Sequence, residues 1–386
     1  MTRDAKGILT THVGSLPRPH DLLDLMKARL SGEPYDRSRY ESRVRSAVAE
    51  CVRRQVECGI DIVADGEQSK PGFFTYVKER LAGFAPRPGK KVPFFDAERA
   101  AFPEYYQEYF ARAMTGGAVA PVVPMVCTGP VKYIGQEALR RDIENLKAAI
   151  AASGARDAFM PSVAPSGAGT NEYYKSDEEF FFAVADAMRE EYRAIVDAGF
   201  YLQIDDPFMT DNFSDPALDD KQHRRVAEIH VEAINHALRG IPAEKVRFHT
   251  CYGINEGPRV HDPALGEIAP YMLKVDAAAY SFEAANSRHE HEYHLWESVK
   301  LPEGKVIIPG VITHASNIVE HPALIAERLA RFARIVGPER VLASADCGFS
   351  SQATYKPEVH PTIIWAKFKA MVEGARLANQ LIGSNS

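Results

Sequence analysis

The stretch from Val246, VRFHTCYGINEG, sets His249 and Cys251 two residues apart at the end of an apolar run. On an extended strand, positions i and i+2 face the same side, so an imidazole and a thiol would approach one point. A second thiol stands in SADCG (Cys347), and a glutamate closes YSFE (Glu283), each again where an apolar or β-branched run ends. One imidazole, two thiolates and a carboxylate make the nitrogen–sulfur set that Zn2+ takes in tetrahedral geometry. Taken singly, an H-x-C on a strand is more often a small apolar thiol beside a hydrogen-bonded histidine, and a lone cysteine is more often core. The convergence of four such residues on three strand ends is what favours a metal site. Cys51, Cys58 and Cys127 show no partner spacing and read as structural.

Those strand ends exist only if the chain alternates strand and helix. Apolar runs predict strands near Ile8–Ser15, Ile60–Gly66, Ala158–Pro165, Phe200–Asp205, Val246–Cys251, Ala279–Glu283, Lys305–Val311 and Val341–Asp346. Between them, YESRVRSAVAECVRRQVECG spaces Val44, Val48, Val52 and Val56 four apart, with Gly59 where a helix C-cap belongs. DEEFFFAVADAMREEYRAIVDAG opens on an acidic first turn and ends at Gly199, and HPALIAERLARFARIVG repeats the pattern. Strand and helix alternating about eight times predict a parallel sheet with right-handed crossovers, closing into a (β/α)8 TIM barrel. An open doubly wound sheet is the alternative, but no G-x-G-x-x-G turn follows the first strand. The Pro-, Phe- and Tyr-rich residues from about 80 to 135 break the repeat and read as an insertion over the barrel mouth. No composition break marks a linker, so residues 1–386 are expected to form one domain.

In such a barrel the site gathers at the carboxyl ends of the strands. THVGSLPRP, VADGEQ, QIDDP, FHTCYG, SFEAAN, PGVITHASN and ASADCG all stand there. Plainer roles exist for some of their charges: Asp205 and Asp206 could be an acidic N-cap for the next loop, and Glu67 could pair with Lys70. The tract SRHEHEYHLWE, despite its histidines, suits a solvated helix start better than a metal site.

The bulk composition narrows the function classes. The 386 residues are 45% hydrophobic and 25% charged with a net charge of -6, which gives no electrostatic case for nucleic acid or an anionic membrane surface. No apolar run reaches the roughly 18 residues needed to span a bilayer. An odd, scattered set of five cysteines and an N-terminus without an apolar secretory core predict a reducing, cytoplasmic setting.

From TTHVGSLPRP through SADCG the chain resembles the catalytic barrel of the cobalamin-independent methionine synthase family, most specifically in the ordered H-x-C, strand-closing Glu and D-C-G. The resemblance implies one catalytic zinc on His249, Cys251, Glu283 and Cys347. It implies that Gly14 and Ser15 hold an amino-acid substrate's carboxylate and that Glu67 and Asp205 bind its ammonium. A histidine serving as proton donor or relay matches His314 only with a shift of one residue. The implied reaction is methyl transfer to the thiol of homocysteine, giving methionine.

Two departures bear on the alkyl donor. The folate-using enzymes carry a second, N-terminal barrel and a pterin-stacking tryptophan after the third strand. This chain lacks the first, and in place of the second SGAGTNEYYKS offers Tyr173 or Tyr174. The donor is therefore left open among methylfolate, a methyl-corrinoid protein and an epoxide. In the last case the thiol would be coenzyme M, with Arg18, Lys70, Arg259 and Arg288 as candidate sulfonate receptors. Two other classes compete: a zinc-storage protein, and a metal-free barrel enzyme of the uroporphyrinogen decarboxylase type, which leaves the Cys/His set unexplained.

Overall fold

The computed structural model describes residues 7–90, 95–112, 117–120, 122–253 and 256–383. Eight parallel strands form its central wall: β1 Leu9–Thr10, β2 Ile62–Val63, β3 Asp157–Val163, β4 Tyr201–Asp205, β5 Val246–His249, β6 Ala279–Phe282, β7 Val306–Ile312 and β8 Leu342–Ala345. Their order runs from β1 through β8, β7, β6, β5, β4 and β3 to β2. The remaining seam, between β2 and β1, is drawn together where the Asp61 N–H donates to the Thr10 carbonyl at 3.2 Å and the Thr11 hydroxyl donates to the Ile62 carbonyl at 3.1 Å. The result is the expected barrel, and all eight expected strands are present.

The helices form where the spacing places them. Arg37–Cys58 starts at Asp36, whose side chain accepts from the Arg39 N–H, and stops at Gly59 with φ 90°. That left-handed position is one a glycine adopts without strain. Asp177–Asp197 is capped by Ser176, and Pro322–Val336 by His321. Their apolar faces and the outer strand faces share one large buried cluster. A second cluster fills the barrel itself. Leu9, Ile62, Phe159, Ala279, Ile308 and Leu342, all from strands, pack into a hydrocarbon plug. Above it lies the fully buried Arg247, whose guanidinium covers the Phe159 ring at 4.1 Å and donates to Thr11 Oγ1 at 2.9 Å and to the His12 carbonyl at 2.8 Å.

The insertion builds a small sheet of its own. Leu81–Pro86 runs antiparallel to Met125–Tyr133, which pairs in parallel with Thr170–Asn171. Two short helices, Asp96–Ala101 and Pro103–Arg112, lie between; residues 91–94, 113–116 and 121 of the insertion fall outside the described set. The sheet is fastened to the barrel through Glu191 on helix Asp177–Asp197. Arg80 donates to it at 2.9 Å, and the hydroxyls of Tyr76, Tyr133 and Ser162 donate at 2.7, 2.7 and 2.8 Å. Burial alone would push the Glu191 carboxyl up; Arg80, Lys70 and the tyrosine hydroxyls outweigh it and bring it down to about 2. Among the described residues, no helix is long and apolar enough to cross a membrane.

Candidate metal and substrate site

At the carboxyl ends of β5 and β8 the ligating atoms of His249, Cys251 and Cys347 all lie within 4.8 Å of one another. The two sulfurs are 3.3 Å apart. His249 Nδ1 meets the Ser281 hydroxyl at 3.0 Å, which leaves Nε2 buried without a hydrogen-bond partner among the described residues. Desolvation, then the nearby Arg247 and His314, hold this imidazole's pKa down to about 3, so it is neutral with a lone pair to give. The Cys251 sulfur and burial push the Cys347 thiol well up. Two thiols this close, in a dry site, become thiolates only if a cation compensates them. An orphaned imidazole nitrogen facing two sulfurs fits a thiophilic divalent ion.

Glu283 falls outside that group. Its carboxylate belongs instead to a neighbouring buried set with His314 and Asp346, again within 4.8 Å of one another. Asp346 is held against the loop that follows Glu283 by accepting from the backbone N–H groups of Ala284 and Ala285 at 2.8 and 2.7 Å and of Asn286 at 2.9 Å. Neither His314 ring nitrogen has a partner of hydrogen-bond geometry among the described residues. Burial brings this ring's pKa down to about 4, with Asp346, and more weakly the Gly253 carbonyl, opposing the shift.

The first group opens into a cavity of about 400 Å³. Ser15, Glu67 and Asp205 line it together with His249, Cys251 and Cys347, whereas Glu283 and His314 are not among its lining residues. Glu67 sits in a tight turn at φ 55°, a strained value for a non-glycine residue and one that recurs at functional sites. Its Oε2 has no hydrogen bond and lies 3.8 Å from Lys70 Nζ. Burial, then the Glu67 charge, push the Asp205 carboxyl well up. Two buried carboxylates short of positive charge therefore face one space. Asp206, by contrast, is the cap: its Oδ1 accepts from the Met209 N–H at 3.2 Å and the Ser166 hydroxyl at 2.8 Å.

Gly14 and Ser15 close the same end. A Cβ at Gly14, where φ is 134°, would come within 2.6 Å of the Pro161 ring and 3.2 Å of Glu67 Oε1. The Ser15 carbonyl accepts from the Phe349 N–H at 2.9 Å, which laces the loop after β1 to the loop after β8.

The far wall is aromatic. Phe73, Phe74 and Phe208 line it, joined by Phe95 and Phe110 from the insertion, with Asp211 among them. Sequence reasoning missed this wall, because its members are scattered over more than a hundred positions. Neither tyrosine offered in its place takes part: Tyr173 is exposed, and the Tyr174 hydroxyl accepts from the Val131 N–H at 3.0 Å.

The four cations considered for a sulfonate are absent from the cavity's lining, and each has a carbonyl or carboxylate partner. Arg18 donates to the carbonyls of Ser350, Glu67 and Lys70, and Lys70 donates to the Pro161 carbonyl at 2.7 Å. Arg259 pairs with Asp262, and Arg288 with Glu283 and Asp262. The SRHEHEYHLWE tract also differs from expectation at two buried residues, Trp296 and His289. His289 is buried, stacked on Tyr252 with ring centroids 3.8 Å apart, and held between Asp262 and Glu292.

A family model described as the catalytic domain of cobalamin-independent synthase matches residues 8–158 and 168–376. The methionine synthase of Sulfolobus acidocaldarius is 25% identical over 344 residues, spanning 88% of this chain and 85% of that protein. That of Thermococcus kodakarensis is 24% identical over 377 residues, 96% of this chain and 93% of that protein. Among solved structures, a B12-independent methionine synthase from Shewanella sp. W3-18-1, in complex with selenomethionine, superposes with a TM-score of 0.73 at 20% identity, covering 98% of this chain and 99% of that one. A putative vitamin-B12-independent methionine synthase from Listeria monocytogenes gives 0.67 at 21% identity, covering 97% and 98%.

Proposed function

Since the chain belongs to the cobalamin-independent methionine synthase family, we propose that it transfers a methyl group to the sulfur of homocysteine, giving methionine, in a single domain spanning residues 1–386. Its metal is zinc, held by His249, Cys251 and Cys347, with Glu283 as the exchangeable fourth ligand. Bound there, zinc supplies the positive charge that lets a substrate thiol lose its proton near neutral pH.

The chain's own residues do the rest. Glu67 and Asp205 take the substrate ammonium between them, which relieves the repulsion of two buried carboxylates. Gly14 lets the backbone come close to the amino acid, and Ser15 beside it receives the carboxylate. His314, neutral and with uncommitted ring nitrogens beside Glu283, relays the proton that the thiol gives up. The aromatic wall excludes water and supports a donor with a flat apolar body, such as methylfolate, more than a small epoxide. A methyl-corrinoid protein remains the alternative methyl source. With Arg18, Lys70, Arg259 and Arg288 all spoken for, coenzyme M is the weaker acceptor. Five free, buried cysteines suit a reducing compartment, and we place the enzyme in the cytoplasm.

One observation supports this reading: a buried His/Cys/Cys group and two under-compensated carboxylates line one cavity, offering partners for both the thiol and the ammonium of a small amino acid. The test is an assay of zinc-loaded protein with L-homocysteine and a methyl donor, beside coenzyme M and a short epoxide. Methionine from the first pair is the expected product; a thioether from the second pair alone would transfer the site to epoxide chemistry.

A further inference from the structure

Glu283 is 1% exposed, yet its carboxylate is well supplied with donors. The Tyr252 N–H donates to Oε1 at 2.9 Å, while Asn286 Nδ2 and Arg288 Nη2 donate to Oε2 at 2.7 and 3.3 Å. These donors come from the loops after β5 and β6, and none contributes an atom to the His249, Cys251 and Cys347 group. They are themselves fixed. Asn286 donates a second time, to Asp346 Oδ2 at 3.0 Å, and Arg288 Nη1 lies 3.6 Å from Asp262. A buried carboxylate without donors is costly, whereas one met by a guanidinium, an amide and a backbone N–H is stable where it stands.

We propose that Arg288, with Asn286 and the Tyr252 N–H, forms a rest site for the Glu283 carboxylate, to which it withdraws when a substrate thiol takes its place on the metal. Arg288 is thus a positioning residue that sets how readily the thiol exchanges with Glu283. The inference rests on the zinc and homocysteine reading above. It explains why a residue matched to the metal set is gripped by three donors outside that set, and why a partly buried arginine next to a metal site faces a carboxylate instead of substrate.

Removing the guanidinium should hold Glu283 on the metal, so two affinities should part company. The protein is loaded with cobalt(II), whose absorption reports sulfur coordination, and titrated with L-homocysteine. Metal affinity without thiol is measured separately, by competition with a chelator. Arg288→Met, which keeps most of the apolar stem, is expected to weaken homocysteine binding about tenfold. It should leave the thiol-free metal affinity unchanged or tighter, and Arg288→Lys should recover part of the homocysteine affinity. Asn286→Ala carries the same expectation should Arg288→Met not fold. A wild-type response to homocysteine that Arg288→Met leaves unaltered overturns the rest site alone. So does a fall of both affinities together. A wild-type cobalt spectrum that ignores homocysteine overturns the methyl-transfer reading and the rest site with it.

Discussion

The sulfurs of Cys251 and Cys347 lie 3.3 Å apart although 96 positions separate them in the chain. Only the closing of β5 and β8 into one wall brings them to the same rim. Replacing Cys347 or Cys251 with alanine should lower bound zinc from about one per chain to a small fraction, because the site loses one of its two thiolates, its strongest donors to a thiophilic ion. Turnover should fall by about two orders of magnitude or more. Elemental analysis of purified variants, with activity before and after chelation of the wild type, checks both. Full metal content in Cys347→Ala would remove this cysteine from the site.

Glu67→Gln and Asp205→Asn each withdraw one charge-assisted contact from the substrate ammonium. Such contacts contribute about 1.5–3 kcal/mol, so the KM for homocysteine should rise roughly 10- to 100-fold with a smaller change in kcat. Steady-state kinetics with varied homocysteine decides it. A kcat loss at constant KM would assign these carboxylates to the chemistry instead.

Gly348 tests the lacing of the loops after β1 and β8. A Cβ there would land 2.0 Å from Ser15 Oγ. Gly348→Ala must displace Ser15 or the loop that follows Cys347, at a cost of about 1–3 kcal/mol. Thermal unfolding should show the loss, and homocysteine KM should rise with it. Gly154→Ala, at φ 70° with nothing within 4 Å of the added carbon, is the control for backbone strain alone and should leave KM untouched.

The insertion's anchor makes a pH prediction. Glu191 goes from an ordinary carboxyl value of 4.5 to about 2 on folding, so its contribution is present above about pH 4.5 and is lost as pH falls toward 2. That shift corresponds to about 3 kcal/mol. Urea denaturation of wild type and Glu191→Gln should therefore differ most near neutrality and converge in acid. A gap that stays constant from pH 7 to 3 would mean that the carboxylate is not held ionised by Arg80.

Much of the fold was legible because strand and helix carry different apolar periods, and Gly59, Gly199 and Gly337 mark three helix ends with positive φ. The H-x-C and D-C-G residues were legible because they stand at strand ends, where barrel geometry fixes the direction of side chains. Glu283 was not fully so. Its identity and position follow from the strand, but the direction of its carboxylate is decided by Tyr252, Asn286 and Arg288, three donors that no spacing rule connects to it. His289 escaped for a similar reason: its neighbours suggest water, whereas Tyr252 and Asp262, from the loop after β5, bury it. The aromatic wall is built from the turn after β2, the insertion and the helix after β4, so only the folded chain assembles it.

The hydrocarbon plug of Leu9, Ile62, Phe159 and Ile308 fills the interior between the strands, so nothing the size of an amino acid passes along the barrel axis. Under the reaction proposed above, thiol and methyl donor would then share the cavity that Phe95 and Phe110 line together with the two sulfurs. The order in which they come and go becomes a property that product-inhibition kinetics can read.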